Sequence, residues 1–226
     1  MVLQSSQVGY MLSGAGQNRV FSELIHNDKV MKNTQAGANT YKFTNVAIDW
    51  AAGRYSDEPL PTLSATKVYV LTSGGTASSS ELLINALRGI DVDVIQIGST
   101  TTGKPYGFAP EQNCGTNYYT IQFKSANEKG FGDFADGFIP TSKNMVNSTL
   151  GLDNKVEGCL VGDDLSKPLG DTSEGMLAAA LNYMDTGVCP QVSPVSFNSM
   201  PLDSSSPAIM DLRSPLKTEA IHVEIQ

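Results

Sequence analysis

Short apolar runs alternate with a helical pattern in the middle of the chain. Residues 67–72 are rich in β-branched and aromatic side chains, which predicts a buried strand. The spacing of apolar residues predicts a helix over 78–88, stopped by Gly89, and a second strand over 92–97. Because a helical crossover joins parallel strands, we expect both strands to end at the same edge of one sheet. This order predicts an α/β fold.

The flanking segments carry weaker patterns. Apolar spacing and turn residues predict four further elements, namely a helix over Gln4–Leu12, a strand over Arg19–His26, a strand over Tyr118–Lys124 and a helix over Ser173–Met184. Residues 30–40 are typical of a polar loop, whereas 41–50 have a mixed periodicity that predicts no particular element. Residues 190–226 hold five of the eleven prolines. We therefore predict a core over 1–189 and a Pro/Ser-rich extension over 190–226.

Composition and charge restrict the classes of partner. The chain has 226 residues, of which 40% are hydrophobic and 17% charged, as in ordinary globular proteins. Its net charge of -8 has the wrong sign for binding nucleic acid or anionic lipid headgroups. No apolar run approaches the roughly 20 residues of a membrane span, and the first residues lack the features of a signal peptide. We expect a chain without a membrane span and without a nucleic-acid partner.

Cysteine and histidine are too sparse to predict a metal site. Cys114, Cys159 and Cys189 are far apart and form no CxxC pair, and the two histidines are His26 and His222. Two interpretations of the cysteines stay open: buried free thiols, or one disulfide in an exported protein. Because their number is odd, at least one thiol has no partner within the chain. We expect neither a metal nor an organic cofactor.

The two loops that follow the central strands contain a candidate nucleophile and a candidate base. Ser78 precedes the predicted helix, whose unpaired N–H groups and positive dipole end would stabilise an oxyanion. A serine hydroxyl needs a neighbouring base, and lysine can take the place of histidine in that role. Lys104 follows the second strand, where partial burial would favour its neutral amine form. His26 and His222 are weak candidates for the base of a Ser-His-Asp triad.

Simpler interpretations of the same residues remain. Ser78 with Glu81 three residues later also matches a capping box, and Lys104 could be a solvated loop lysine. Residues 98–104 match the GxxxxGK pattern of a phosphate-binding loop, which would indicate a nucleotide-binding protein. Pro105 stands where that loop needs a serine or threonine for magnesium, and it is a poor start for the helix that should follow.

Two segments together resemble the C-terminal processing, or tail-specific, serine proteases. They are Thr-Ala-Ser-Ser-Ser-Glu at 76–81 and Ile-Gly-Ser-Thr-Thr-Thr-Gly-Lys-Pro-Tyr-Gly at 97–107, each near the end of an apolar strand. The resemblance implies that Ser78 is the nucleophile and Lys104 the general base. It also implies that Glu81 is the family's motif glutamate and that the N–H of Ser79 is one oxyanion donor.

The resemblance carries further expectations. It covers roughly residues 4–190 and implies a crotonase-like or ClpP-like core of repeated strand-strand-helix units. It implies a serine endopeptidase that cleaves polypeptides near their C-termini through an acyl-enzyme, without a cofactor. The implied location is exported, either periplasmic or in the cell envelope, although no export signal is present in this sequence. A homo-oligomer is compatible with the resemblance.

The sequence also departs from the family pattern. The Ser78–Lys104 spacing is one residue longer than in many members, and Phe108 stands where some have a glutamine that orients the lysine. The family's Asp-Leu-Arg-x-Asn-x-Gly-Gly segment, which supplies the other oxyanion donor, should precede residue 1, and the PDZ domain is missing. Residues 211–213 are no replacement because Ser and Pro follow them. These departures imply a catalytic-domain fragment or, alternatively, a catalytically impaired module that binds peptides.

Overall fold

The computed structural model describes residues 2–27, 39–49, 54–143, 146 and 152–190. Nearly all of the polar loop predicted over residues 30–40, and all of the predicted extension after Pro190, lie outside these residues. The division between a core and an extension therefore stays a prediction. In the part of the chain that the structure describes, no helix is long and apolar enough to cross a membrane.

The described residues divide into two compact units, of which the smaller comprises residues 109–120. The larger unit contains the following elements: α1 Val2–Ser13, β1 Val20–His26, β2 Thr40–Lys42, β3 Val46–Asp49, β4 Arg54–Pro59, β5 Lys67–Thr72, α2 Ser79–Gly89, β6 Asp93–Gly98, β7 Tyr106–Gly107, β10 Phe123–Ala126, β11 Ile139–Thr141, β12 Lys155–Leu160 and α3 Gly175–Thr186. The smaller unit contains β8 Glu111–Asn113 and β9 Thr116–Tyr118.

A parallel sheet in the order β11-β12-β6-β5 confirms the predicted strand-helix-strand crossover. In its register Lys67 lies opposite Asp93 and Thr72 lies opposite Gly98, so β5 and β6 end level with each other. The loops that follow these two strands consequently start at one edge of the sheet. This position is where parallel sheets usually bind ligands.

A second sheet in the larger unit is antiparallel, with the strand order β2-β1-β10-β7. Its edge strand β7 comes directly after the loop that contains Lys104, and it pairs with β10 through Phe123 and Lys124. Helix α2 packs against both β1 and β6. Helix α2 therefore contacts both sheets.

The α2 helix is buried along most of its length because its apolar residues recur at helical spacing. Leu82, Ile84 and Leu87 belong to a buried cluster that extends to the phenylalanines of β1 and of the 131–138 segment. Arg88 at its last turn is 2% exposed. Its guanidinium donates to Asp153 and to the carbonyl of Lys155, and it lies 5.5 Å from the centre of the Phe138 ring. Burial lowers the pKa of this guanidinium, and the Asp153 interactions partly offset that effect.

Helix α3 packs on one face of the parallel sheet, and the cluster that contains α2 packs on the other face. Gly187 caps the C-terminal end of α3, as the sequence predicts. Gly187 has a φ of 69°, the left-handed conformation that glycine adopts without strain. A disulfide joins Cys159 of β12 to Cys189 beyond the helix. This disulfide excludes the interpretation of Cys159 and Cys189 as buried free thiols. Cys114 is a free, exposed cysteine.

The predicted strand over Tyr118–Lys124 is wrong. Strand β9 ends at Tyr118 and β10 begins only at Phe123, because the chain leaves one sheet and enters another between them. The β8–β9 turn has positive φ at both Cys114 and Gly115, 50° and 76°, which is the geometry of a two-residue hairpin. The mixed α/β class is confirmed, whereas the repeated strand-strand-helix arrangement stays a prediction.

Candidate active site

Ser78 lies in a strained turn between β5 and α2. Its backbone has φ 57° and ψ -112°, a region that residues with a side chain rarely adopt. Such a conformation costs about 1–3 kcal/mol, and it persists only where surrounding contacts enforce it. The main-chain N–H of Ser78 donates to Oε2 of Glu81 at 2.9 Å, which is the backbone half of a capping box. The capping interpretation of this motif is therefore correct as local structure, and it does not exclude a chemical role.

The carboxylate of Glu81 joins the two loops. Glu81 is fully buried. Oε1 accepts from the Thr101 hydroxyl and from the N–H of Gly103, both at 2.6 Å. Oε2 accepts from the N–H of Lys104 at 2.8 Å and from that of Ser78 at 2.9 Å. One buried carboxylate thus satisfies donors from both the serine turn and the lysine loop, which compensates its burial.

A second set of hydrogen bonds reinforces the same junction. The N–H of Thr102 donates to the carbonyl of Thr76 at 2.8 Å, and its hydroxyl donates to the carbonyl of Gly74, also at 2.8 Å. The Thr76 hydroxyl accepts from the N–H of Ser73 at 3.0 Å. Thr76 therefore organises the turn itself and contacts the lysine loop through its carbonyl.

Ser78 and Lys104 line one cleft of about 290 Å³. The residues that line this cleft are Ser78, Ser79, Leu82, Lys104, Pro105, Tyr106, Gly107, Phe108, Phe123, Ser125 and Phe134. Lys104 is exposed, which differs from the partial burial expected of it. Helix, lysine loop, edge strand β7 and strand β10 thus each contribute to a single concave site.

Most of the surface within the cleft is apolar. Leu82 and Phe134 are 7% and 1% exposed and line it from the buried cluster, and Phe123 contributes from β10. The Phe134 ring stacks on that of Phe138, with centroids 4.9 Å apart. A cleft with apolar walls and a few polar groups at its mouth is the common form of a small-molecule or peptide site.

Glycine is required where the lysine loop meets the 134–138 segment. A Cβ added to Gly103, whose φ is 80°, would lie 2.0 Å from the carbonyl oxygen of Ala135. A Cβ on Gly137, with φ 79°, would lie 2.0 Å from the carbonyl oxygen of Thr101. Both positions combine a left-handed conformation with a close backbone approach, so any side chain there would displace the loop.

The N-terminal end of α2 lies at the cleft. Ser79 is the first residue of the helix and lines the cleft. The first N–H groups of an α-helix have no intrahelical acceptor, and the helix dipole places positive potential beside them. An anion formed beside Ser78 would therefore meet a suitable donor.

The structure places Ser78, Ser79 and Lys104 on one cleft, with Glu81 hydrogen-bonded to the backbone of both loops. The chemical roles expected of these residues stay predictions. His26 lies instead in β1, where its ring is 5.4 Å from that of Phe123, and His222 lies outside the described residues. The phosphate-loop alternative lacks its helix, because strand β7 begins two residues after Lys104. Sequence reasoning missed the role of Thr101. Its only signal was a run of three threonines before the Gly-Lys pair.

Comparison with known proteins gives a structural match without a sequence match. No family profile matches the chain, and no curated protein shows significant similarity to it. Fifteen chains of solved structures match its fold. One is the crystal structure of a protein provisionally assigned as an S41 protease, from Bacteroides fragilis NCTC 9343. The S41 group is that of the C-terminal processing peptidases.

The match extends over most of this chain but less than half of the other. Its TM-score is 0.59 at 22% sequence identity, and it covers 83% of this chain and 42% of the solved chain. At this identity the similarity concerns the fold. The chain therefore has a mixed α/β fold similar to that of this S41 protease, which confirms the structural part of the resemblance.

Proposed function

We propose that the chain is a serine peptidase domain in which Ser78 is the nucleophile and Lys104 the general base. The observation that carries this proposal is that both residues line one cleft, while the Glu81 carboxylate binds the backbone of both loops. The fold similarity to an S41 protease supports the class of activity.

The proposed reaction is peptide hydrolysis in two halves. The neutral amine of Lys104 accepts the hydroxyl proton of Ser78 as Oγ attacks the peptide carbonyl carbon. The N–H of Ser79 stabilises the oxyanion, and the proton then passes to the leaving amine as the C–N bond breaks. Water, deprotonated by the same lysine, hydrolyses the acyl-enzyme and regenerates the Ser78 hydroxyl. No metal or organic cofactor takes part in this scheme.

In this proposal Glu81 is a positioning residue. Each of its oxygens accepts two hydrogen bonds, from three main-chain N–H groups and one hydroxyl. Glu81 binds the main-chain N–H of Lys104 and that of Ser78. It thereby fixes the position of the Lys104 backbone, from which the side chain extends, relative to Ser78. We infer that Glu81 acts on the reaction through the geometry of the two loops.

The finer features of the activity are proposals that follow from the resemblance. They are an endopeptidase acting near protein C-termini, a crotonase-like or ClpP-like core over residues 1–189, and an exported, periplasmic or cell-envelope location. The Cys159–Cys189 disulfide supports an oxidising compartment. The apolar walls at Leu82, Phe123 and Phe134 favour substrates with an apolar side chain beside the scissile bond.

A second candidate function is peptide binding without cleavage. The exposure of Lys104 favours it, because an exposed lysine can bind the carboxylate of a peptide end without acting as a base. The cleft and its apolar walls would serve a binding module equally well. Covalent reactivity of Ser78 separates the two functions.

The test is covalent labelling with a fluorophosphonate probe, read by mass spectrometry of the intact chain and its peptides. We expect one adduct on Ser78, formed faster as the pH rises because the lysine must be neutral. Ser78→Ala and Lys104→Ala should lose labelling by at least about 100-fold. Lys104→Arg keeps a positive charge that does not become neutral, and it should fail as well.

Ser80→Ala is the matched control, because Ser80 is an exposed serine in the same motif, and this variant should label as the wild type does. Undiminished labelling of Lys104→Arg, or an adduct that survives in Ser78→Ala, would rule out the proposed pair. A folded wild type that binds peptide but never forms an adduct would favour the binding module.

A further inference from the structure

Thr101 is a buried threonine whose hydroxyl is used in both directions. The residue is 5% exposed and lies in the loop between β6 and Lys104. Its hydroxyl donates to Oε1 of Glu81 at 2.6 Å and accepts from the N–H of Phe138 at 2.8 Å. Its main-chain N–H donates to the carbonyl of Phe138 at 3.1 Å. The hydroxyl therefore has one orientation, set by the Phe138 N–H behind it.

This orientation determines how Glu81 meets the lysine loop. The carboxylate of a glutamate turns freely about its last torsion unless its surroundings fix it. Glu81 accepts three main-chain N–H groups, and Thr101 is the one side chain among its four hydrogen-bond donors. The Thr101 hydroxyl binds the same oxygen as the N–H of Gly103, so its loss would free that oxygen to turn away from the loop.

The same threonine connects the lysine loop to a wall of the cleft. Phe138, which donates to the Thr101 hydroxyl, stacks on Phe134, and Phe134 lines the cleft. The carbonyl of Thr101 lies so near Gly137 that a Cβ there would be 2.0 Å away. Thr101 thus contacts both the carboxylate that holds Lys104 and the segment that shapes the apolar pocket.

We propose that Thr101 is a positioning residue: its hydroxyl fixes the Glu81 carboxylate, which holds the main chain at Gly103 and Lys104 and so directs the lysine to Ser78. The part of this inference that concerns reactivity rests on the proposed peptidase function. The part that concerns the loop does not. The hydroxyl, rather than the methyl group, is the feature that matters.

The experiment compares Thr101→Val, which keeps the shape and removes the hydroxyl, with Thr101→Ser, which keeps the hydroxyl. Thr100→Val is the control, because Thr100 lies in the same loop and is not among the donors to Glu81. Two readouts are measured for each variant: amide hydrogen exchange at Gly103 and Lys104 by NMR, and the rate of fluorophosphonate labelling. If Thr101→Val does not fold, Thr101→Ala, which leaves room for water, replaces it.

We expect exchange at Gly103 and Lys104 to be about tenfold faster in Thr101→Val, while exchange of the β6 amides changes less. Labelling of Ser78 should fall about 10- to 100-fold, because small misplacements of reacting groups cost that much. Thr101→Ser should restore both quantities to within a few-fold of the wild type, and Thr100→Val should leave both unchanged.

Two results would overturn the inference. Exchange at Gly103 and Lys104 in Thr101→Val equal to that of the wild type would show that the hydroxyl does not hold the loop. A Thr101→Ser variant as impaired as Thr101→Val would assign the effect to methyl packing. If the wild type itself is never labelled, the peptidase proposal fails, and the exchange measurement still decides the role of Thr101.

Discussion

Ser78 combines a capping position with a backbone conformation that side chains avoid. The turn that contains it is held by the Glu81 carboxylate, by the threonines at 76 and 102, and by the start of α2. Strained turns between a strand and a helix are known to present nucleophilic side chains outward. The sequence motif predicted which residue types lie in this turn. The φ angle of Ser78, in contrast, depends on contacts with the loop that contains Lys104.

The strain at Ser78 predicts an inverted order of stability for two variants. Ser78→Gly should be more stable than Ser78→Ala by about 1 kcal/mol or more, because glycine adopts positive φ without the steric cost that alanine retains. At ordinary positions alanine is favoured over glycine. Urea unfolding of the two variants measures the difference. An alanine variant more stable than the glycine variant would be incompatible with this backbone conformation.

At the scale of elements, α2 and α3 are held in different ways. Helix α2 is covered by both sheets and is tied at its last turn by buried Arg88. Helix α3 covers one face of the parallel sheet, and its Tyr183 hydroxyl donates to Glu157 of β12 at 2.7 Å. Burial raises the pKa of Tyr183, and the hydrogen bond to Glu157 contributes a smaller increase. The Cys159–Cys189 disulfide fastens the end of α3 to the same strand.

Removal of this disulfide should lower stability markedly. Cys159 and Cys189 are 30 residues apart, and closing a loop of that length stabilises a fold by about 3–4 kcal/mol, mainly by restricting the unfolded chain. The double variant Cys159→Ala, Cys189→Ala should therefore melt about 7–14 °C lower in calorimetry. Cys114→Ser, which changes the exposed free cysteine, is the control and should melt as the wild type does. Equal melting temperatures for all three proteins would contradict the disulfide.

At the scale of the whole molecule, the net charge and the fold bear on different aspects of function. The net charge of -8 belongs to the full sequence and concerns partners at long range. The fold of the larger unit concerns chemistry, because the antiparallel sheet, the lysine loop and the start of α2 line one cleft. Neither statement follows from the other.

The charge predicts an absence of binding to polyanions. Because the chain has 23 acidic against 15 basic side chains, we expect no measurable affinity for duplex DNA or for phosphatidylserine vesicles at low ionic strength, where electrostatic attraction is strongest. Fluorescence anisotropy with labelled DNA and vesicle sedimentation measure this. Salt-sensitive binding in either assay would reveal a basic surface that the overall charge conceals.

The amino-acid sequence by itself determined the local elements and the residue types of the site. The apolar run at 67–72, the helical spacing after Ser78 and the stop at Gly187 act within a few residues, so they could be predicted from the chain alone. The parallel crossover followed from chain geometry. These features brought Ser78 and Lys104 to one edge.

Only the tertiary structure decided how that edge is assembled. The three hydrogen bonds of Glu81 to the lysine loop, the contact of Thr101 with Phe138 and the disulfide join residues far apart in sequence. The failed strand over Tyr118–Lys124 has the same cause, because alternation within a segment does not say which sheet will pair with it. The local pattern of residues determines the conformation of each segment. Long-range packing and hydrogen bonding determine which segments come into contact.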